Sequence, residues 1–382
     1  MTERALQRHT DIVIGCGAVA QVPSLVEERA LLVTDPGIVA AGHAERLEGL
    51  LRGAGVAVYR YDQAPPNPNE DDVEACLSAY RSASNDGAVD WIVALGGGSA
   101  IDTAKGCAML ACAGGRMADH VGRGRVDVTS PKLVAVPTTA GTGSETQSFA
   151  LIGNRETGQK MACGGTAPVV AVLDPELTLT MPAYVTACSG LDALTHTVEA
   201  AVTKRRSHAS AALAREAFQM IERSFEGVLS TPNDLDARGA MLHASALAGE
   251  AIENSMLGAA HSMANPLTKH YGVTHGQAVG QVLPTVVAYN AHDHDARQLY
   301  AEVARQAGIA GEADDDKDAA RALIRRLRAL VAKAGFGPKI DNVPAAAADM
   351  LAAEAATQWT AQFNPVEVDV AAFARLYREV LS

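Results

Sequence analysis

One aspartate and three histidines in the second half of the chain have the residue types and spacing of a metal site. Asp192 and His196 lie four residues apart in residues 189–200, an apolar stretch with helical periodicity. This separation places both side chains on one face of a helix. His261 and His275 are separated by a proline and a glycine, so we expect them on different elements that converge through folding. A carboxylate and three imidazoles can bind Fe(II), Zn(II) or a similar divalent ion and leave a coordination position for a substrate oxygen.

Each part of this set has a simpler interpretation. An aspartate and a histidine four residues apart more often form a surface or capping interaction than a metal site. His261 and His275, taken by themselves, are no stronger evidence for a metal site. The metal interpretation gains support from two glycine-rich segments upstream, which are typical of a bound nucleotide.

The two glycine-rich segments each follow a strand-like run. Residues 96–99, Gly-Gly-Gly-Ser, stand directly after the apolar run 91–95 and before a helix-like stretch. Glycine lets the backbone approach a phosphate with several N–H groups exposed, and a helix N-terminus adds its positive dipole end. Residues 137–145, PTTAGTGSE, offer hydroxyls and glycines to the phosphates, ribose or base of a nucleotide. The alternative for the first segment is a tight strand-to-helix turn without a ligand; two such segments at successive strand ends favour the ligand-binding edge of a parallel sheet.

A third segment resembles a dinucleotide fingerprint. Residues 15–20 fit G-x-G-x-x-A, and Asp35 lies twenty residues after Gly15. Pro23 interrupts the helix that the fingerprint requires, so we interpret these glycines as a turn. Asp35 remains a candidate, because a carboxylate at the end of a strand can accept hydrogen bonds from the adenosine ribose and would repel a 2′-phosphate. This residue favours NAD over NADP.

Composition indicates a globular protein large enough for two domains. The chain has 382 residues, of which 48% are hydrophobic and 20% charged, and its formal net charge is −12. This charge argues against nucleic acid or an anionic membrane surface as a partner. No apolar run approaches the roughly 18–20 residues that span a bilayer. The N-terminus lacks the apolar core of a signal peptide, and the six cysteines form no CxxC pair, so we expect a cytoplasmic protein with reduced cysteines.

The order of elements predicts an α/β half followed by an all-helical half. Strand-like runs alternate with helix-like stretches up to about residue 181, which predicts a parallel sheet with helices on both sides. We therefore predict an α/β NAD-binding domain over residues 1–183 and an all-helical, metal-binding catalytic domain over residues 184–382, with a cleft between them. The predicted strands are 11–14, 30–35, 56–61, 91–95 and 133–136. The helical stretches of the first half include 71–84 and 101–113. The predicted helices of the second half are 205–230, 236–257, 277–289, 295–307, 319–334 and 369–381, punctuated by Pro266, Pro284 and Pro338.

Five motifs, in this order, resemble the iron-containing (group III) alcohol dehydrogenase family. They are GGGSAIDTAK (96–105), PTTAGTGSE (137–145), DPELT (174–178), GLDALTHTVEA (190–200) and the HSMANP and HG segments within 261–276. The likeness extends from about residue 11 to the final helix. It implies an α/β nucleotide-binding domain, a helical domain, the fold shared with dehydroquinate synthase, and a homodimer.

The resemblance also implies the ligands and the reaction. The implied metal ligands are Asp192, His196, His261 and His275. The implied NAD contacts are Asp35, Asn67, Gly97, Gly98, Ser99, Asp102, Thr138, Thr139, Thr142, Lys160 and Leu179. The implied cofactors are NAD and Fe(II), with Zn(II) as the alternative ion. The implied reaction interconverts a small alcohol and its aldehyde or ketone by hydride transfer at a metal-polarised oxygen.

The chain departs from the family at the proton relay. Family members commonly have a histidine four residues after the position of His261, whereas this chain has Asn265, and Thr285 stands where many relatives have another histidine. Asparagine cannot exchange protons near neutral pH, although it can donate a hydrogen bond to a substrate oxygen. Asn265 either lines the site or caps the helix before Pro266. His270 is the second candidate catalytic residue, as a route for the proton, or an ordinary surface histidine; the cofactor ribose and water are other routes.

Related enzymes act on other substrates. A maleylacetate reductase, a hydroxy-acid dehydrogenase or a zinc-dependent glycerol dehydrogenase would share the fold, but the intact PTTAGTGSE segment and the full aspartate–histidine set favour the alcohol branch over maleylacetate reductase. A dehydroquinate synthase-like lyase would need a cluster of Lys and Arg for a phosphorylated substrate, and the segments near the ligands supply few. A non-enzymatic binding role would leave the joint presence of a metal set and a cofactor set unexplained.

Overall fold

The computed structural model of the chain describes residues 6–122 and 131–382. The chain divides into two compact units. The first is Arg8–Met181, and the second is Pro182–Ser382 together with the described residues before Arg8. The first unit is α/β and the second is helical, which confirms the predicted fold class.

The first unit is built on a six-stranded parallel sheet. Its strands are β1 (Asp11–Ile14), β2 (Arg29–Val33), β3 (Ala57–Tyr61), β4 (Trp91–Gly96), β5 (Lys132–Pro137) and β8 (Val170–Leu173), in the spatial order β1-β8-β5-β4-β2-β3. An antiparallel hairpin of β6 (Phe149–Gly153) and β7 (Lys160–Gly164) forms a second sheet. The five predicted strands are confirmed; β6, β7 and β8 were not predicted.

Helices cover both faces of the six-stranded sheet. The helices of this unit are α1 (Pro36–Ala40), α2 (His43–Gly53), α3 (Glu70–Ser84) and α4 (Gly98–Ala113). Successive residues of β2 point to opposite faces, so Leu31 packs in the core with α3 and α4, whereas Leu32 packs in the core with α2. Every residue of β4 is buried, which explains its continuously apolar sequence.

The second unit consists mainly of helices. They are α5 (Ala183–Val202), α6 (His208–Ser230), α7 (Leu235–Ser255), α8 (Ala259–Tyr271), α9 (His275–Asn290), α10 (His294–Gln306), α11 (Asp316–Lys333), α12 (Ala348–Ala355) and α13 (Val370–Val380). Helix α5 contacts α6, α7, α9 and α10, and most of its side chains are buried. Polar side chains on such a helix need partners, because an unpaired polar group in the interior is costly.

Two of the prolines that punctuate the predicted helical segments lie inside helices of the structure. Pro266 is within α8 and Pro284 is within α9. A proline in a helix interior removes one hydrogen bond and costs about 3 kcal/mol. Both prolines are buried, so the packing of α8 and α9 offsets this cost. Among the described residues, no helix has the length and apolar character needed to cross a membrane.

Candidate functional site

The four predicted metal ligands converge within the helical unit. Asp192 and His196 occupy one face of α5. His261 lies in the first turn of α8, and His275 is the first residue of α9. As expected from the proline and glycine between them, the two later histidines belong to different helices.

Helix α9 approaches α5 closely because glycines occupy its contact face. A Cβ atom on Gly276 would overlap the backbone of Cys188, and one on Gly280 would lie 2.8 Å from the side chain of Leu191. The four-residue spacing puts both glycines on one face of α9. This close contact places His275, at the start of α9, next to Asp192.

Three imidazole nitrogens surround one carboxylate oxygen. The Oδ1 atom of Asp192 lies 3.4 Å from Nε2 of His196. The same oxygen lies 3.7 Å from Nε2 of His261 and 3.8 Å from Nε2 of His275. The potential ligand atoms of Asp192, His261 and His275 all lie within 4.8 Å of one another. Ligand atoms around a tetrahedral ion with bonds of about 2.1 Å are separated by about 3.4 Å, so the cluster has the dimensions of a coordination shell.

The polar atoms at the centre of the cluster fit a cation. Among the described residues, Asp192 Oδ1 and His261 Nε2 have no hydrogen-bond partner, and both side chains are buried. Leaving a buried polar atom unpaired costs about 1–3 kcal/mol, which an ion bound between these atoms would offset. Burial raises the pKa of Asp192, but the neighbouring imidazoles of His196, His275 and His261 more than reverse this and hold the pKa below its ordinary value. The charged carboxylate, the form that a metal ligand requires, is therefore favoured at Asp192.

The histidines differ in their surroundings. The rings of His196 and His261 stack in parallel, with centroids 4.8 Å apart and an interplanar angle of 12°. The side chain of His275 is 22% exposed, compared with 5% for His261. The cluster is therefore accessible to solvent on the side of His275.

Glu199, which the sequence analysis did not identify, completes the surroundings of His261. It lies seven residues after Asp192, on the same face of α5. Its Oε2 atom lies 2.6 Å from Nδ1 of His261, and its Oε1 accepts a 2.7 Å hydrogen bond from the N–H of Ala260. Burial raises the pKa of Glu199, but His261 and the backbone N–H groups bring it below its ordinary value. Burial lowers the pKa of His261, and the carboxylates of Glu199 and Asp192 reverse this, raising it to about 9. The helical spacing from Asp192 was the sequence signal for this residue.

The two candidate catalytic residues lie on different sides of α8. Asn265 is one turn after His261, and its side-chain amide donates a 3.0 Å hydrogen bond to Oε1 of Gln358. Because α8 continues to Tyr271, the alternative in which Asn265 caps the helix end is wrong. His270 lies nine residues, or two and a half turns, after His261, which places it on the opposite side of the helix. The structure therefore brings Asn265, but not His270, to the side of α8 that bears His261.

The exposed ring of His270 has its own partner. Its Nε2 atom lies 2.6 Å from Oε2 of Glu354, on α12. Lys269 contacts the same carboxylate, with Nζ 2.9 Å from Oε1. These contacts are those of a surface ion pair between α8 and α12.

We expect Asn265 to act on substrate and not on metal. Asn265→Ala is expected to lower kcat/KM by about tenfold, the equivalent of one lost hydrogen bond, with unchanged metal content. Asn265→His is expected to add a titration at about pH 6–7 to the pH profile of kcat. Steady-state kinetics across pH and elemental analysis measure both effects. Native kinetics and an unaltered pH profile in both variants would show that Asn265 is structural.

In the first unit, the predicted nucleotide-binding segments follow neighbouring strands. Strand β3 lies on one side of β2, whereas β4 and then β5 lie on the other, so the direction of the strand order changes between β2 and β4. Ligands of open α/β sheets bind at such a point, beyond the carboxyl ends of the strands. Asp35 follows β2 and Gly97 follows β4, so both lie at this point.

Close contacts explain the glycines after β4. A Cβ atom on Gly98 would lie 2.6 Å from Oγ1 of Thr142, which is too close for any side chain. A Cβ atom on Gly97 would lie 3.3 Å from Oγ1 of Thr139. The segments after β4 and β5 are thus in direct contact, and the structure brings together four of the predicted cofactor residues.

Asp35 also has a structural role. Its Oδ1 atom accepts hydrogen bonds from the N–H groups of Gly37, at 2.8 Å, and Ile38, at 3.0 Å, and so caps the start of α1. The other oxygen, Oδ2, is directed at the loop after β4, since it lies 3.1 Å from the place of a Cβ atom on Gly96. One oxygen thus holds the local structure, and the second faces the predicted nucleotide-binding loop.

The other predicted cofactor residues have different environments. The N–H of Asn67 donates a 3.2 Å hydrogen bond to Oγ of Ser99, and Asn67 has the left-handed φ of 54° that asparagine tolerates. The N–H of Thr138 donates a 3.0 Å hydrogen bond to the carbonyl of Gly96. Lys160 begins β7, and Leu179 follows the turn Pro175–Thr178; both are half-buried.

Both carboxylate oxygens of Asp102, by contrast, accept hydrogen bonds from other groups of the protein. Its Oδ1 atom accepts a 2.5 Å hydrogen bond from the hydroxyl of Ser144 and lies 3.5 Å from Nζ of Lys105. Its Oδ2 atom accepts a 3.2 Å hydrogen bond from the N–H of Leu151. The side chain joins α4 to the segment after β5 and to the hairpin.

The turn interpretation of residues 15–20 is confirmed. The buried carboxylate of Asp174 accepts hydrogen bonds from the N–H groups of Gly17 and Val19, each at 3.1 Å. These are N–H groups that a pyrophosphate would need. The helix that follows is the short 3-10 helix Ala18–Ser24, which contains Pro23.

Comparison with known proteins identifies relatives along almost the whole chain. The family profile described as iron-containing alcohol dehydrogenase matches residues 9–175, and the profile described as the C-terminal part of the Fe-containing alcohol dehydrogenase family matches residues 186–381. Alcohol dehydrogenase 4 of Schizosaccharomyces pombe is 32% identical over 334 residues, which cover 86% of this chain and 77% of the yeast protein.

Solved structures agree with these matches. A crystal structure of a 1,3-propanediol oxidoreductase is 31% identical, with a TM-score of 0.92, and the match covers 98% of this chain and 99% of that one. Sulfoacetaldehyde reductase from Bifidobacterium kashiwanohense, solved in complex with NAD⁺, is 27% identical, with a TM-score of 0.85 over 99% of this chain and 98% of that one. The chain belongs to the iron-containing alcohol dehydrogenase family.

Proposed function

We propose that this protein is a metal-dependent, NAD(H)-linked alcohol dehydrogenase that interconverts a small alcohol and its aldehyde or ketone. The observation that carries the proposal is the arrangement of three imidazole nitrogens around one buried oxygen of Asp192, which has no hydrogen-bond partner in the described part of the chain. Family membership supports the same reaction class. The similarity to a 1,3-propanediol oxidoreductase supports a small substrate.

The proposed metal ligands are Asp192, His196, His261 and His275, and the proposed ion is Fe(II), with Zn(II) as the alternative. When bound, such an ion supplies a Lewis acid for the oxygen of an alcohol or carbonyl substrate. The protein contributes the negative charge of Asp192, whose pKa is held low, and the buried surroundings in which electrostatic interactions are strong. The 22% exposure of the His275 side chain marks the side from which a substrate can enter.

The proposed NAD site is formed by the loops after β2, β4 and β5. The first turn of α4 would present its N–H groups to the pyrophosphate, with Gly97 and Gly98 allowing close approach. Asp35 would bind the adenosine ribose. The remaining proposed contacts are Asn67, Ser99, Asp102, Thr138, Thr139, Thr142, Lys160 and Leu179. When bound, NAD(H) supplies the hydride donor or acceptor, and the NAD⁺ complex of the similar sulfoacetaldehyde reductase supports this choice of cofactor.

Proton transfer requires a group other than Asn265. The amide can orient a substrate oxygen but cannot take up its proton. His270 faces Glu354 on the other side of α8. We therefore favour water or the cofactor ribose as the route over His270.

The decisive experiment is an assay of NADH oxidation by the protein with Fe(II) or Zn(II) against aldehydes, ketones and oxo acids. We expect reduction of small aldehydes or ketones, loss of activity with a chelator and recovery when the metal is restored. Activity that survives complete metal removal would contradict the metal-dependent mechanism. A clear preference for oxo acids would move the protein to the hydroxy-acid branch of the family.

We further propose that the protein works in the cytoplasm as a homodimer that binds neither nucleic acid nor membrane. All six cysteines are free, which supports a reducing compartment. The net charge of −12 supports the absence of polyanionic partners. Sedimentation velocity should give twice the chain mass of 39.7 kDa. A species with the mass of one chain would contradict the dimer.

A further inference from the structure

We infer that Glu199 is a positioning residue that fixes His261 in the orientation and tautomer required for metal binding. This inference rests on the proposed metal site. Glu199 is buried on α5, whereas His261 belongs to α8, so the contact between them joins the two helices that carry three of the four proposed ligands.

The two oxygens of Glu199 have separate hydrogen-bond donors. Oε1 accepts the N–H of Ala260 at 2.7 Å, and Oε2 lies 2.6 Å from Nδ1 of His261. The absence of a side chain at Gly258 makes room for the carboxylate, because a Cβ atom there would lie 3.0 Å from Oε1. The carboxylate is thereby held against α8 at two points.

This contact determines which nitrogen of His261 can bind a cation. A carboxylate oxygen can only accept, so Nδ1 of His261 must carry the hydrogen of the pair. In the neutral ring that a metal ligand must be, the lone pair is then on Nε2, which faces Asp192 Oδ1 at 3.7 Å. Within the described part of the chain Nε2 has no hydrogen-bond partner. A ligand histidine whose other nitrogen donates to a carboxylate is a general device for fixing ring orientation and raising ligand basicity.

A purely structural role for Glu199 is the competing explanation, and the chain offers a control for it. Asn364 also holds the start of α8, because its Oδ1 accepts a 3.2 Å hydrogen bond from the N–H of Ala259. Its other hydrogen bonds join it to Asn290 and to the carbonyl of Val366. Asn364→Ala therefore weakens the anchoring of α8 and leaves the Glu199–His261 contact in place.

Glu199→Gln tests the role of the carboxylate with little change of shape. If the amide oxygen keeps the bond to Ala260, the amide N–H₂ group faces Nδ1 of His261. Nδ1 must then accept, the hydrogen moves to Nε2, and the nitrogen that faces Asp192 can no longer bind a cation. Glu199→Asp keeps the charge but withdraws it by one methylene group, so its effect should be smaller.

The experiment measures Co(II) binding to the metal-free full-length protein by competition with a chelator, together with the visible absorption of bound Co(II). We expect Glu199→Gln to weaken Co(II) binding by about 10- to 100-fold, the effect typical of such outer partners, and to change the spectrum. Asn364→Ala should lower the melting temperature, as expected for the loss of a hydrogen bond at the start of a helix. Its affinity for Co(II) should stay within about threefold of that of the unaltered protein, and its Co(II) spectrum should be native. Circular dichroism establishes that each variant is folded.

The outcomes separate this inference from the proposed function. The inference would be overturned if Glu199→Gln kept the native affinity for Co(II) and the native spectrum. If the Gln variant does not fold, the same result in Glu199→Asp would overturn it. In either case, Co(II) binding by the unaltered protein would still support the metal site. An equal loss in Asn364→Ala would also overturn it, since anchoring of α8 would then explain the effect. Failure of the unaltered protein to bind Co(II), or full binding by His261→Ala, would overturn the metal site itself.

Discussion

His261→Ala is expected to abolish turnover and to remove most of the bound metal. The substitution deletes the proposed ligand nitrogen, Nε2, which faces Asp192 Oδ1 at 3.7 Å. The substitution also leaves the carboxylate of Glu199 buried without the imidazole that contacts it. The free energy of unfolding should therefore fall as well, by about 3–5 kcal/mol, the cost of breaking a buried charged pair. Elemental analysis of the purified variant and the NADH oxidation assay measure the two functional effects.

Two further variants separate ligand loss from destabilisation. His275→Ala removes a proposed ligand whose side chain is 22% exposed, so it should lower metal content at a smaller cost in stability. His270→Ala removes a histidine from the other side of α8 and should keep full metal content, because its ring is paired with Glu354. Circular dichroism tests the fold of each. Full metal content in folded His261→Ala would decide against the ligand assignment.

The convergence of Asp192, His196, His261 and His275 could be predicted from sequence because these residues lie within motifs of fixed local geometry. The spacing of Asp192 and His196 defines one helix face, and the structure places both on α5. Glu199 follows the same periodicity, but a buried glutamate on an apolar helix has no pattern of its own. Its role depends on Ala260 and His261, some 60 residues later, and such contacts are set by tertiary packing.

The strands that were not predicted differ in their local signals. Strand β8 lies within the apolar run 169–173, which is as long as the run 91–95 that identified β4, so its sequence does carry a strand signal. Strands β6 and β7 form a short antiparallel hairpin of five residues each, outside the alternation of strands and helices that predicts a parallel sheet. The position of Pro266 was interpreted as a helix boundary by the usual rule, whereas burial of α8 keeps the helix intact to Tyr271. This continuity decides the sides of α8 on which Asn265 and His270 lie.

The contrast between Asp35 and the glycines at 15–17 shows what a motif alone leaves undetermined. Both parts of the fingerprint are present in the sequence, but the N–H groups of Gly17 and Val19 donate to Asp174, an acid 155 residues or more away. Only the structure shows that a protein carboxylate takes the place of a phosphate there. Asp35, in contrast, does lie at the change in strand order, next to the loop after β4.

The preference for NAD(H) over NADP(H) is expected to depend on the charge of Asp35. The structure makes Asp35→Asn the informative substitution, because an asparagine oxygen can still accept from the N–H groups of Gly37 and Ile38 and cap α1. The variant loses only the negative charge that would repel a 2′-phosphate. Two like charges about 4 Å apart near a protein surface repel each other by up to about 4 kcal/mol. Removal of only about 1.4 kcal/mol of this repulsion would lower the ratio of kcat/KM for NADH to kcat/KM for NADPH tenfold.

Asp35→Gly, which removes the cap as well as the charge, should change the cofactor ratio at least as much and also lower stability by about a few tenths of a kcal/mol. Steady-state kinetics with both reduced cofactors at low ionic strength give the ratios, and added salt should reduce the difference between the unaltered protein and the Asp35→Asn variant, since screening weakens the repulsion. An unaltered ratio in Asp35→Asn, together with a changed ratio in Asp35→Gly, would show that the cap and not the charge shapes the site. Better use of NADPH than NADH by the unaltered protein would contradict the assignment of Asp35 altogether, because a negatively charged carboxylate at the ribose would repel the 2′-phosphate of the preferred cofactor.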